Sequence, residues 1–231
     1  MNRLISRTGA AIVAATVFLF AVCMITGFLF GSYLVCMLLP IGYIMMAAGF
    51  QQECGADRRV AANVGLILAA IYAVLILLVY FAQTTSVRLE NLSDQASRIL
   101  NYQRGGLLFN YDLLGYGMMA LSTFFIGLSI RADCRADSWL KGLMLLHGIF
   151  FIACFVMPMT GAFTAMADGN TGNGGTVALL FWCAWFFPIG VLAYRLFAGA
   201  DCRHAAVSFG HGRSIFRPHC AQNLQNGHIC I

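Results

Sequence analysis

Residues 10–50 read AAIVAATVFLFAVCMITGFLFGSYLVCMLLPIGYIMMAAGF, a run without a single charge. A helix rises about 1.5 Å per residue and a bilayer core is about 30 Å thick, so one crossing takes roughly 20 apolar residues. The run is about twice that length and reads as two spans with a very short turn. The chain is expected to double back within GFLFGS, Gly27–Ser32, near Gly31. Working outward, spans are expected at about 9–29, 31–50, 60–82, 107–130, 141–163 and 176–199. The expected fold is therefore all-α: a polytopic membrane bundle over 1–199, six transmembrane helices in three hairpins, and a cytoplasmic, disordered tail over 200–231.

Composition agrees. Of the 231 residues 60% are hydrophobic and only 10% charged, with a mean hydropathy of +0.79. Soluble domains run nearer half apolar and a quarter charged. The opening MNRLISRTGAAIVAATVFLFAVC has a basic start and an apolar run but no small-x-small cleavage site. It reads as an uncleaved first span.

Charge placement tests the span count. With both ends cytoplasmic, the inner side carries Arg3, Arg7, Arg58, Arg59, Arg131, Arg135, Lys141, Arg195, Arg203, Arg213 and Arg217, against Arg88, Arg98 and Arg104 outside. Eleven against three obeys the positive-inside rule, whereas a single crossing of the first run would split the same residues nine to five. The nine cysteines agree, since none falls in an outer loop and the number is odd. Thiols held in a reducing compartment fit this better than a disulfide framework. The expected location is the cell membrane.

Ala61, Gly65, Ala69 and Ala73 place a small residue every four positions, a stripe that lets a neighbouring helix approach closely. Pro40, Pro158 and Pro188 each interrupt a span, so kinks are expected there. Between the third and fourth spans, Leu89, Leu92, Ala96, Ile99 and Leu100 recur at helical spacing among charges. They predict an amphipathic outer interfacial helix, read as a lid or as an inert surface element. The other outer loop, MADGNTGNGG, is Gly/Asn-rich, and its DGN lacks the remaining ligands of a calcium loop. GYIMMA at 42–47 matches GYGMMA at 115–120, and Pro-Ile-Gly recurs at 40–42 and 188–190. These short matches fit a repeated hairpin and chance alike.

Asp112 is the only acid well inside a span, five residues in and so roughly 8 Å below the outer boundary. A charge at that depth costs several kcal/mol unless it is paired or hydrated, and so usually faces the bundle interior or a water cavity. Tyr116 lies one turn on, with Met119 and Thr123 continuing the same face and Asn110 and Tyr111 adding polar groups nearby. Asp112, Tyr116, Asn110 and His147 are the candidate ligand-binding residues. A shallow carboxylate that pairs with Arg104 or Arg98 is the competing account. His147, the only histidine within a span, should lie roughly 15 Å from Asp112 in depth, too far for a direct pair. Cys54, Cys134 and Cys202 with His204 could meet at the inner face, but no CxxC spacing supports a metal, and Met157, Met159 and Met166 read as core filling. There is no GxxxxGK[ST], HExxH or GxSxG. No cofactor, metal or catalytic residue is expected, and the reading points away from an enzyme.

FNYDLLGYGMMALSTFFIGL, with AAIYAVLILLVYFAQTTSVRL before it, resembles uncharacterised small six-span prokaryotic integral membrane proteins over about the first 165 residues. The resemblance implies the six-span fold and brings neither activity nor site residues. The expected function is binding or transport of a small solute, ion or lipid through an outward-facing polar pocket. The alternative is a non-catalytic regulatory or scaffolding protein acting through its cytoplasmic loops and tail. The expected partners are the lipid bilayer and a small-molecule or ion ligand, with a homo-oligomer open and nucleic acid not expected.

Overall fold

The computed structural model describes residues 1–161, 163 and 174–199. The expectations for the Gly/Asn-rich loop, Met166, Cys202, His204 and the 200–231 tail lie outside the described residues. Within them the fold is all-helical, and six helical segments are long and apolar enough to cross a membrane. This is the build of a multi-pass integral membrane protein.

The elements are α1 (Asn2–Thr26), α2 (Leu29–Glu53), α3 (Arg59–Thr84), α4 (Ser86–Leu89), α5 (Asp94–Leu100), α6 (Leu107–Ser129), α7 (Arg135–His147), α8 (Phe150–Met159) and α9 (Gly174–Ala198). The uncharged run does double back, at Gly27–Phe28 rather than around Gly31. Gly27 takes a left-handed conformation (φ 70°), and the Gly27 and Phe28 amides return to the Met24 and Cys23 carbonyls. Glycine reaches that conformation without the Cβ penalty other residues incur. Gly31 is instead helical and packs against the Phe28 ring and Cys23 Sγ.

Helices α9, α1, α2, α3, α6 and α7 pack one against the next, and α7 returns to α9 to close a ring. Small residues set the close approaches. A Cβ on Gly9 would stand 2.7 Å from the Gly42 carbonyl oxygen, so α1 and α2 meet backbone to backbone. On α3 the small stripe serves as expected: Ala69 and Ala73 are buried, and a Cβ on Gly65 would lie 3.1 Å from the Ser122 carbonyl of α6. Ser122 Oγ also donates to the Gly65 carbonyl at 2.6 Å.

The centre of the bundle is aromatic. Tyr43, Tyr72, Tyr116, Trp182 and Phe186 form a closed circuit, with successive centroids 5.5, 5.8, 5.2, 5.1 and 6.2 Å apart. Four helices thus meet through large flat surfaces, a favourable geometry for aromatic pairs at these spacings.

Two elements differ from the sequence expectation. The fifth span is not one helix: α7 ends at His147 and α8 begins at Phe150, joined by short i→i+3 bonds around Gly148. The break falls ten residues before Pro158, while α2 and α9 run unbroken through Pro40 and Pro188. The amphipathic segment is short, α5 alone, capped by the Ser93 side chain, which accepts from the Ala96 amide at 3.2 Å.

Both chain ends of the bundle lie on one side. Arg3 pairs with Glu53, Arg7 donates to the Tyr194 hydroxyl, and Arg58 and Lys141 both donate to the Ile130 carbonyl. This is called the Arg3 end, and the opposite one the Gly27 end.

Candidate functional site

The site is built on α6, the helix most enclosed by the others. Asp112, Tyr116, Met119 and Thr123 follow at helical spacing, and all four turn toward the bundle. Asp112 is 2% exposed. Arg98 and Arg104, considered as its partners from sequence, both pair with Asp94 of α5, at 2.9 and 3.7 Å. The groups facing the carboxyl are the hydroxyls of Tyr80 on α3 and Tyr102 after α5. Neither closes a bond to Oδ1, which has no hydrogen-bond partner; the Tyr72 hydroxyl is the other such atom among the described residues. An unsatisfied buried polar group costs about 1–3 kcal/mol, more when charged, so such a carboxylate calls for a reason.

At the Gly27 end lies a cavity of about 220 Å³, lined among others by Phe20, Tyr33, Tyr80, Tyr102, Gln103 and Thr176. Tyr33, Tyr80 and Tyr102 stand against one another with centroids 5.5–6.1 Å apart. They form a phenol layer that lines the cavity, and Asp112, which does not line it, lies near the Tyr80 and Tyr102 hydroxyls. Asp112 acts electrostatically on all three of these tyrosines.

The layer is held by a buried glutamine. Gln83 of α3 donates to the Leu100 carbonyl at 2.8 Å and accepts from the Tyr102 amide at 3.0 Å, clamping both sides of the α5–α6 connection. Gln103 next donates to the Tyr33 hydroxyl at 3.1 Å and ties the connection to α2. The chain then enters α6 through Gly106, where any Cβ would collide with the Arg98 carbonyl.

His147 belongs to a different place. The Trp182 indole, which can only donate, reaches His147 Nε2 at 3.0 Å. Nε2 is therefore an acceptor, the proton of the neutral ring sits on Nδ1, and Nδ1 donates to Thr123 Oγ1 at 2.7 Å. The Thr123 hydroxyl passes its own hydrogen to the Ala120 carbonyl at 2.7 Å. Every polar atom in this relay is used, and it pins α6, α7 and α9 together. Thr123 lies eleven residues beyond Asp112, about 16 Å along the helix, so His147 and Asp112 are not brought together.

Tyr116 faces inward but directs its hydroxyl to Cys36 Sγ at 3.7 Å, while its ring joins the aromatic circuit. Asn110 is exposed and stands away from the carboxyl. Sequence reasoning missed Tyr33, Tyr80, Tyr102 and Gln83. The available signal was a tyrosine near the Gly27-side boundary of several helices, which also fits an interfacial aromatic belt.

At the Arg3 end a second cavity, of about 720 Å³, is lined by Arg3, Glu53, Asp57, Arg58, Arg131 and Asp133 among others. Its arginines pair with Glu53, Asp57 and Asp133. Cys54 lines it and donates to the Gln51 carbonyl, and no group of metal-ligating side chains forms among the described residues.

Compared with known protein families, curated proteins and solved structures, the chain finds no significant match.

Proposed function

We propose that this is a solute-binding membrane protein whose site is the cavity at the Gly27 end, with Asp112 as its charged base. One observation carries the reading: a buried carboxyl with no ion pair and no partner for Oδ1 among the described residues, close to tyrosines that line a cavity. A fold keeps so costly a group where something else neutralises it or binds to it. The Gly27 end is read as facing outward. Among the described residues it carries Arg88, Arg98 and Arg104, whereas the Arg3 end carries Arg3, Arg7, Arg58, Arg59, Arg131, Arg135, Lys141 and Arg195.

Transport is the activity that best suits this layout. Cavities open at both ends of the bundle, and the aromatic circuit fills the space between them. Such a packed centre with access from either side suits alternating exposure of one site.

The reading is tested in cells by comparing solute accumulation between wild type and Asp112→Asn at equal membrane abundance. The substitution is expected to change the accumulation of a definite set of solutes. Identical profiles would remove Asp112 from any solute pathway and sink the proposal.

A further inference from the structure

The cavity at the Gly27 end has a composition that narrows its ligand, an inference that rests on reading this cavity as a solute site. An anion finds little there, since no basic side chain lines it among the described residues and the Asp112 carboxyl lies near the Tyr80 and Tyr102 hydroxyls. A hard metal ion finds no carboxylate lining the cavity, and no group of acidic or metal-ligating side chains forms among the described residues.

What the cavity does offer is aromatic surface. Phe20, Tyr33, Tyr80 and Tyr102 all line it, and the face of such a ring attracts a cation most strongly when the cation is poorly hydrated. Close to these rings lies the buried carboxyl of Asp112, whose Oδ1 has no hydrogen-bond partner and which forms no ion pair among the described residues. The volume of about 220 Å³ equals roughly seven waters at about 30 Å³ each, enough for a small alkylammonium head. We infer that the cavity binds a small organic cation of the amine or quaternary ammonium class, held against the Tyr33–Tyr80–Tyr102 faces and balanced in charge by Asp112.

A native thiol makes this testable. Cys23 lines the cavity and is partly exposed. Purified full-length protein in detergent is treated with three methanethiosulfonates, bearing a trimethylammonium, a sulfonate or a neutral hydroxyl group. Modification of Cys23 is followed by peptide mass spectrometry, and each rate is divided by that of a free thiol in solution. The normalised rate for the ammonium reagent should exceed that for the sulfonate by about tenfold or more, the effect expected of one unit charge at partly buried range. Asp112→Asn should bring the two within about threefold, with an unchanged helical spectrum. Tetramethylammonium should protect Cys23 of the wild type against the neutral reagent.

Each other outcome decides something. Rapid, charge-blind modification without protection by tetramethylammonium overturns the cation assignment while leaving a solute-accessible cavity. Failure of all three reagents overturns the cavity reading itself. A charge preference that survives in Asp112→Asn removes Asp112 as the counter-ion. If Asp112→Asn does not fold, protection of the wild type by tetramethylammonium still decides the ligand class.

Discussion

Asp112 and His147 are both ionisable and both buried in the same bundle, yet their surroundings assign them opposite roles. His147 accepts from Trp182, donates to Thr123 and has no polar atom left for a ligand. His147→Leu should therefore orphan the Trp182 N–H and lower stability by about 1–3 kcal/mol, read as an earlier unfolding midpoint in detergent. Cys23 modification rates should stay as in wild type. An unchanged midpoint would mean that the relay contributes nothing to the fold. Asp112 is the converse case, since its Oδ1 atom is unpartnered. Replacing a buried carboxyl whose Oδ1 is unsatisfied does not orphan a partner, so Asp112→Asn should unfold no earlier than wild type. A marked loss of stability in that variant would show the carboxylate to be structural after all. Nothing in the sequence separated these two residues, because hydrogen-bond satisfaction depends on side chains far along the chain, for His147 Thr123 and Trp182, 24 and 35 positions distant.

At the scale of elements, the α3–α6 connection depends on Gln83. Its amide reaches the Leu100 carbonyl and the Tyr102 amide from a buried position on α3. Gln83→Leu should release the connection, raising proteolytic cleavage within 85–106 several-fold while the helical spectrum is kept; an unaltered cleavage rate would refute the clamp. The α1–α2 hairpin answers to a different constraint. A side chain at Gly9 would meet Met45 Cβ at 2.6 Å and the Met46 amide nitrogen at 2.7 Å. Gly9→Leu should push the two helices apart and cost about 1–3 kcal/mol, again visible as an earlier unfolding midpoint. The unexpected break at Gly148 has a packing reason: a Cβ there would stand 2.8 Å from Phe124 Cβ, so α7 turns close against α6 before α8 continues. The expectation of kinks at proline weighed backbone chemistry alone, and this break is set by the neighbouring helix.

For the whole molecule, an even number of crossings places the start of α1 and the end of α9 together. The Arg7 guanidinium packs over the Tyr194 ring at 4.6 Å, joining the first span to the last. Reporters fused at the amino terminus and after residue 199 should therefore read the same side of the membrane. The positive-inside rule predicts that side to be cytoplasmic. Reporters on opposite sides would break the six-span fold. The same closure makes α1 a central helix with α2 and α9 on either flank, where Gly42 and Gly190, the glycines of the two Pro-Ile-Gly segments, both press on it.

The sequence by itself determined the number of spans, the doubling back of the first apolar run and the gathering of basic residues at one end. These follow from length, hydropathy and charge, which are additive along a chain and need no knowledge of neighbours. The inward face of α6 was also legible, because helical spacing alone puts Asp112, Tyr116, Met119 and Thr123 on one side. Only the tertiary structure decided what each of them meets. Tyr80 and Tyr102 reach the carboxylate from two separate segments, Tyr116 turns to Cys36, and Asn110 faces away. A site in a bundle is a property of helix rotation and crossing, and those are set by which small residues let two backbones touch.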